Sequence, residues 1–141
     1  AGAAAESSDE RSAKRIYRIA DRSLRAAKAG DLAEFKTADY EFHRAIAASA
    51  GNPRLELSIE QSLTLVSALR QRDVPGTAAS IECAKSHIRV ATAIRDRDVE
   101  GAGRAMAAHV RHVAELVLAA YDECHDEPVG SSLAMPVSAV R

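Results

Sequence analysis

The chain has 141 residues, 19 Lys plus Arg against 20 Asp plus Glu, and a formal charge of −1, a length that suits one domain with its own core. The balanced charge removes the electrostatic footprint of a nucleic-acid-binding domain, and hydrophobic residues at 47% with charged ones at 28% exclude a disordered chain. No apolar run reaches the roughly 18–20 residues that span a bilayer. The N-terminal AGAAAE is no signal peptide, and Cys83 and Cys124 form no CxxC pair, so a reduced, cytoplasmic protein is expected.

Five helices are predicted in chain order, and no strand. The first opens at Ser7 with Glu10 three residues on, a capping-box pattern. It runs to about Ala29 with Ala13, Tyr17, Ala20, Leu24 and Ala27 on one stripe, and Gly30 suits the left-handed position that ends a helix. The row Arg15, Arg18, Arg22 and Arg25 reads as its solvated face. Asp31 with Glu34 caps a second helix that reaches Ala50. Asn52-Pro53 starts the third, in which Leu55, Ile59, Leu63 and Val66 align, and Val74-Pro75-Gly76 ends it. The fourth runs from Thr77 to about Asp96 with Ile81, Ala84, Ile88 and Ala91 on one face. Asp98 caps the fifth, which carries Ala102, Met106, Val110, Val113, Val117 and Ala120 to about Cys124. Short connections predict an all-α, antiparallel helical bundle. Residues 1–127 read as its domain and 128–141 as a tail without a core.

Polar residues interrupt the stripes that should be buried. On the second helix Asp39 falls between Phe35 and His43, and the two polar residues are four apart, hence neighbours on one helix face. A buried ionised carboxylate costs several kcal/mol unless paired. His87 borders the stripe of the fourth helix and His109 lies between Met106 and Val113 on the fifth. Each alone reads as a satisfied core residue. Together, three core-side histidines and an aspartate on three helices point to a metal site, because bundle interiors are where inward side chains assemble one. Neutral imidazole and carboxylate suit Zn²⁺, Ni²⁺, Fe²⁺ or Mn²⁺, and the sequence does not choose among them. His112 could replace His109 but tilts off the stripe; His125 reads as solvated. Cys83, four before His87, could be a thiolate ligand, though a small buried hydrophobe is the plainer role.

Other chemistries lack their motifs. There is no Glu-x-x-His for a di-iron bundle, no G-x-S-x-G elbow and no phosphate-binding P-loop. A small metalloenzyme using an open metal position to activate water is the alternative of a different class, but no general base stands out beside the four residues.

Asp39-Tyr-Glu-Phe42-His43-Arg-Ala-Ile46 followed by Gly51-Asn52-Pro53 resembles the central motif of the FCD domain, the C-terminal effector-binding domain of FadR-subfamily, GntR-type bacterial transcription regulators. His87, Ala93-Ile94, Asp98, Ala102, Met106 and His109 follow the same family's spacing, with the two histidines 22 positions apart. The resemblance covers roughly residues 3 to 125. It implies that Asp39, His43, His87 and His109 hold a divalent metal, that a small organic acid binds at or beside it, and that the chain forms a homodimer. DNA would be bound only through a winged helix-turn-helix domain that this sequence does not contain, and the start of the family's first helix is also missing, AAAE at residues 3–6 resembling its far end. An aspartate and three neutral imidazoles leave a divalent site near +1, which favours a carboxylate. Arg70, continuing the stripe of the third helix, is the candidate to orient that acid. The expected function is effector sensing without catalysis.

Overall fold

A computed structural model describes residues 1–73 and 77–125, with side chains for 1–65 and 78–119. Six helices are present among the described residues: α1 (Gly2–Ser7), α2 (Glu10–Ala29), α3 (Leu32–Ser49), α4 (Pro53–Asp73), α5 (Thr77–Arg95) and α6 (Val99–His125). The fold is all-α, and none of the described helices is long and apolar enough to cross a membrane.

Local chemistry explains most boundaries. Asp31 Oδ1 accepts the Glu34 amide at 3.0 Å, and Asn52 Oδ1 accepts those of Arg54 and Leu55 at 3.1 and 3.3 Å, with Pro53 in the first turn. Gly30 ends α2 at φ 74°, and the amides of Gly30 and Asp31 return to the carbonyls of Ala27 and Ala26, the paired bonds of a glycine-terminated helix. The same pattern ends α5 without glycine: Arg97 takes φ 57° and its guanidinium donates to the Ser8 carbonyl at 3.1 Å, tying this corner to the α1–α2 corner.

The beginning of the chain differs from the capping box expected at Ser7. Ser7 completes α1, Ser8 is extended and bonds back to the Ala4 carbonyl, and Asp9 caps α2 by accepting the Ser12 amide at 2.7 Å. A carboxylate at this position also meets the positive end of the helix dipole, which a serine hydroxyl does not. The buried face of α2 is likewise rotated from the expected stripe: Ile16, Ile19, Ala20, Ser23, Ala26 and Ala27 are buried, while Tyr17 and Leu24 lie at its margin.

Direction follows from which residues share a core cluster. Ala13 and Ile16 near the start of α2 pack with Phe42, Ala45 and Ile46 near the end of α3, and with Val90 and Ile94 near the end of α5. Ala26 and Ala27 at the far end of α2 pack with Phe35 early in α3 and with Cys83 and Ala84 early in α5. α2 is therefore antiparallel to both neighbours. α6 runs antiparallel to α5, since Ala102 joins the first cluster and Val113 the second. Alanines at the contacts let the helices approach closely. α4 sits against α3 and α6; among its described side chains Leu55, Leu57 and Leu65 are exposed, as is Val110 of α6, contrary to the stripes that placed Leu55 and Val110 inward.

Candidate metal centre

Between the two apolar clusters the same four helices carry a polar layer. Ser23 of α2 lies one turn from Ala26 and Ala27 on one side and Ile19 and Ala20 on the other. Asp39 of α3 stands between Phe35 and Phe42, His87 of α5 between Cys83 and Val90, and His109 of α6 between Met106 and Val113. Each cluster thus closes one side of the layer against water. Ser23, Asp39, Ser86, His87 and His109 are buried, and His43 is partly covered.

The helical repeat sets the first contacts. Asp39 and His43 are one turn apart, and His43 Nε2 lies 4.0 Å from Asp39 Oδ1. Packing of α3 on α5 brings His87 Nε2 to 3.3 Å from the same oxygen. α6 completes the group, with His109 Nε2 3.3 Å from His43 Nε2. Phe42 stacks on His87 at a centroid separation of 4.4 Å and 28° between planes, fixing the imidazole from its apolar side.

Two serines turn the imidazoles. The Ser86 hydroxyl donates to the Cys83 carbonyl at 2.6 Å, so its oxygen accepts from His109 Nδ1–H at 2.7 Å. That leaves His109 Nε2 as a lone pair directed at the centre. Ser23 Oγ engages His87 Nδ1 at 3.3 Å, which again aims Nε2 inward. A hydrogen bond on the far nitrogen is how histidine ligands are oriented at metal sites.

Donor spacing tests whether an ion fits. Nitrogen and oxygen donors about 2.0–2.2 Å from one tetrahedral ion lie about 3.3–3.5 Å apart. The His43–His109 and Asp39–His87 edges, both 3.3 Å, match; the His43–Asp39 edge at 4.0 Å is wider. The donors fall into two overlapping groups, His43/His87/His109 and Asp39/Cys83/His87, which share His87. Three imidazoles, a carboxylate and a thiol within one buried layer form a donor set suited to a divalent transition metal.

All four residues singled out in the sequence, Asp39, His43, His87 and His109, meet in this layer. His112 is half-buried and belongs to neither donor group among the described residues. The side chains of Arg70 and His125 lie outside the described residues. Arg22 is no part of a solvated row: its Nε is 3.0 Å from Glu34 and its Nη2 2.6 Å from Glu41, clamping α2 to α3. Sequence reasoning overlooked Ser23 and Ser86. Their signal was a serine on a stripe otherwise filled by alanine and isoleucine, and a serine directly preceding a core histidine. Cys83 is buried, as expected of a small hydrophobe, but its sulfur lies within the polar layer.

The family model described as the FCD domain matches residues 1–112. No curated protein and no solved structure matches this chain.

Proposed function

This chain belongs to the FCD domain family, the C-terminal domain of GntR-family transcription regulators, and from that premise we propose that it senses a small carboxylate through a buried divalent metal. The single observation that carries this reading is one polar layer in which His43, His87 and His109 form one donor group and Asp39 joins His87 in a second, with His109 and His87 turned by serines to face the centre. A divalent ion held by these residues would supply a Lewis-acidic centre for an anionic oxygen. His43, the least buried of the four, stands on the side from which an acid would enter, and Arg70 is proposed to orient its far end.

Sensing is a population shift. An acid that prefers one arrangement of a homodimer changes the separation of attached winged helix-turn-helix domains by no more than its differential affinity. The chain itself performs no catalysis in this reading, which places it in the FadR subfamily and in the cytoplasm. DNA is contacted only by the attached domain.

A thermal-shift screen of small mono- and dicarboxylates tests it. A cognate acid at 100 times its dissociation constant stabilises the fold by about 2.7 kcal/mol, or roughly 6–11 °C at about 2–4 °C per kcal/mol for a domain near this size. The shift is expected to disappear after chelation. Shifts that persist in metal-free protein refute the metal-centred mechanism and leave the regulator assignment standing.

A further inference from the structure

We propose that Cys83 is itself a metal donor, so that Asp39, Cys83 and His87 form a sulfur-containing face of the centre. The inference rests on the metal reading above, with which it shares Asp39 and His87. Cys83 is completely buried, and its sulfur lies 3.7 Å from Asp39 Oδ1 and 3.7 Å from His87 Nε2, atoms that are themselves 3.3 Å apart. For a sulfur about 2.3 Å and a nitrogen or oxygen about 2.0–2.2 Å from one tetrahedral ion, the spacing is about 3.5–3.7 Å between sulfur and the lighter donor, and about 3.3–3.5 Å between the lighter pair. All three edges of this triangle match.

The local architecture produces the triangle without any loop. Cys83 and His87 are one turn apart on α5, so sulfur and imidazole share a helix face. Ser23 occupies His87 Nδ1, leaving Nε2 on the sulfur side. Phe35, Ala26, Ala27 and Ala84 pack around Cys83 from the other direction. A cysteine that only fills space is satisfied by such apolar neighbours; this one also faces a carboxylate and an imidazole.

The chemistry has two consequences. Sulfur binds as thiolate: the S–H bond is broken, a sulfur–metal bond forms, and one proton per ion passes to solvent. A thiolate also biases the site toward softer ions such as Zn²⁺ over Mn²⁺. With both Asp39 and Cys83 negative, the residual charge of a divalent site falls from near +1 to near zero. A carboxylate is then drawn by an open coordination position rather than by net charge.

Cobalt(II) alone, added to the full chain in a phosphine reductant, tests the proposal. Visible d–d bands report the bound ion whatever its donors, and an intense near-ultraviolet charge-transfer band reports a cobalt–sulfur bond. The decisive protein is Cys124→Ser, because Cys83 is then the one remaining cysteine and the site itself is untouched. Both sets of bands are expected in it, and in Cys83→Ser the visible bands persist while the near-ultraviolet band is lost. Visible bands without the near-ultraviolet band in Cys124→Ser overturn the sulfur ligand and leave the metal reading intact. No cobalt bands at all overturn both. Retention of the near-ultraviolet band in Cys83→Ser overturns the assignment to this residue.

Discussion

The apolar cluster around Ile16, Phe42 and Ile94, to which α1 adds Ala4 and Ala5, and the polar layer one turn away share the facing sides of α2, α3, α5 and α6, yet they constrain the molecule differently. The apolar cluster is held by non-directional burial, so any well-shaped hydrophobic set stabilises it. Ser23, Asp39, Ser86, His87 and His109 have no such latitude. Each buried polar atom needs a partner at a defined distance and angle, and one lost partner leaves the others exposed to the full cost of desolvation. The comparison teaches that stability resides mainly in the clusters, whereas the layer between them trades apolar burial for a directional site whose strength depends on what it binds.

Truncation in the apolar cluster is expected to have the largest effect. Ile16→Ala, at a residue 1% exposed, should lower unfolding free energy by about 2–5 kcal/mol, equally in metal-free and metal-loaded protein. Urea titrations in both states check this. A loss confined to the loaded state would erase the distinction between the two regions.

The polar layer should show the opposite dependence. Metal at 100 times its dissociation constant should stabilise the wild type by about 2.7 kcal/mol, and His109→Leu or His87→Ala should abolish that gain together with stoichiometric metal in elemental analysis. His109→Leu should also destabilise the metal-free protein, because it takes a partner from both Ser86 and His43. Full metal occupancy in either variant removes these residues from the centre.

Ser86→Ala sharpens the comparison within the layer. It leaves every proposed ligand in place but frees the His109 ring from its 2.7 Å hydrogen bond. The expected effect is roughly a 10–100-fold loss of metal affinity, measured by competition with a chromophoric chelator. Ser86→Thr, which keeps the hydroxyl, should recover most of it. Unchanged affinity in Ser86→Ala assigns the serine to helix packing alone.

The smallest effect lies outside both regions, at the α2 cap. The Ser12 amide, by hydrogen bonding, holds the exposed Asp9 carboxyl below its ordinary value of 3.8. Since the folded value is the lower one, the stabilisation is fully present above the unfolded value and fades as pH falls through the folded value. Asp9→Asn should flatten that part of the acid limb of stability without altering metal binding. A change in metal affinity would connect the cap to the layer and break the separation drawn here.

What the sequence determined by itself was most of what neighbours within about one helical turn govern, the Asp9 cap excepted. Asn52-Pro53, Asp31 and Gly30 set helix ends because a cap bonds amides two or three residues away. Asp39 and His43 were legible as a pair because the 3.6-residue repeat places them on one face, and His87 and His109 because each interrupted an apolar stripe. The family motif lay in the same local spacings. The tertiary structure decided the rest, since the rotation and approach of α2, α3, α5 and α6 depend on side chains far apart in the chain. That packing chose Ile16 over Tyr17 for the core, drew Arg22 into a clamp, and seated Ser23 and Ser86 behind the imidazoles. It also set Cys83 beside Asp39, which is 44 positions away. No periodicity within a single helix encodes the distance between two helices; that distance is fixed only when their alanines and phenylalanines come into contact.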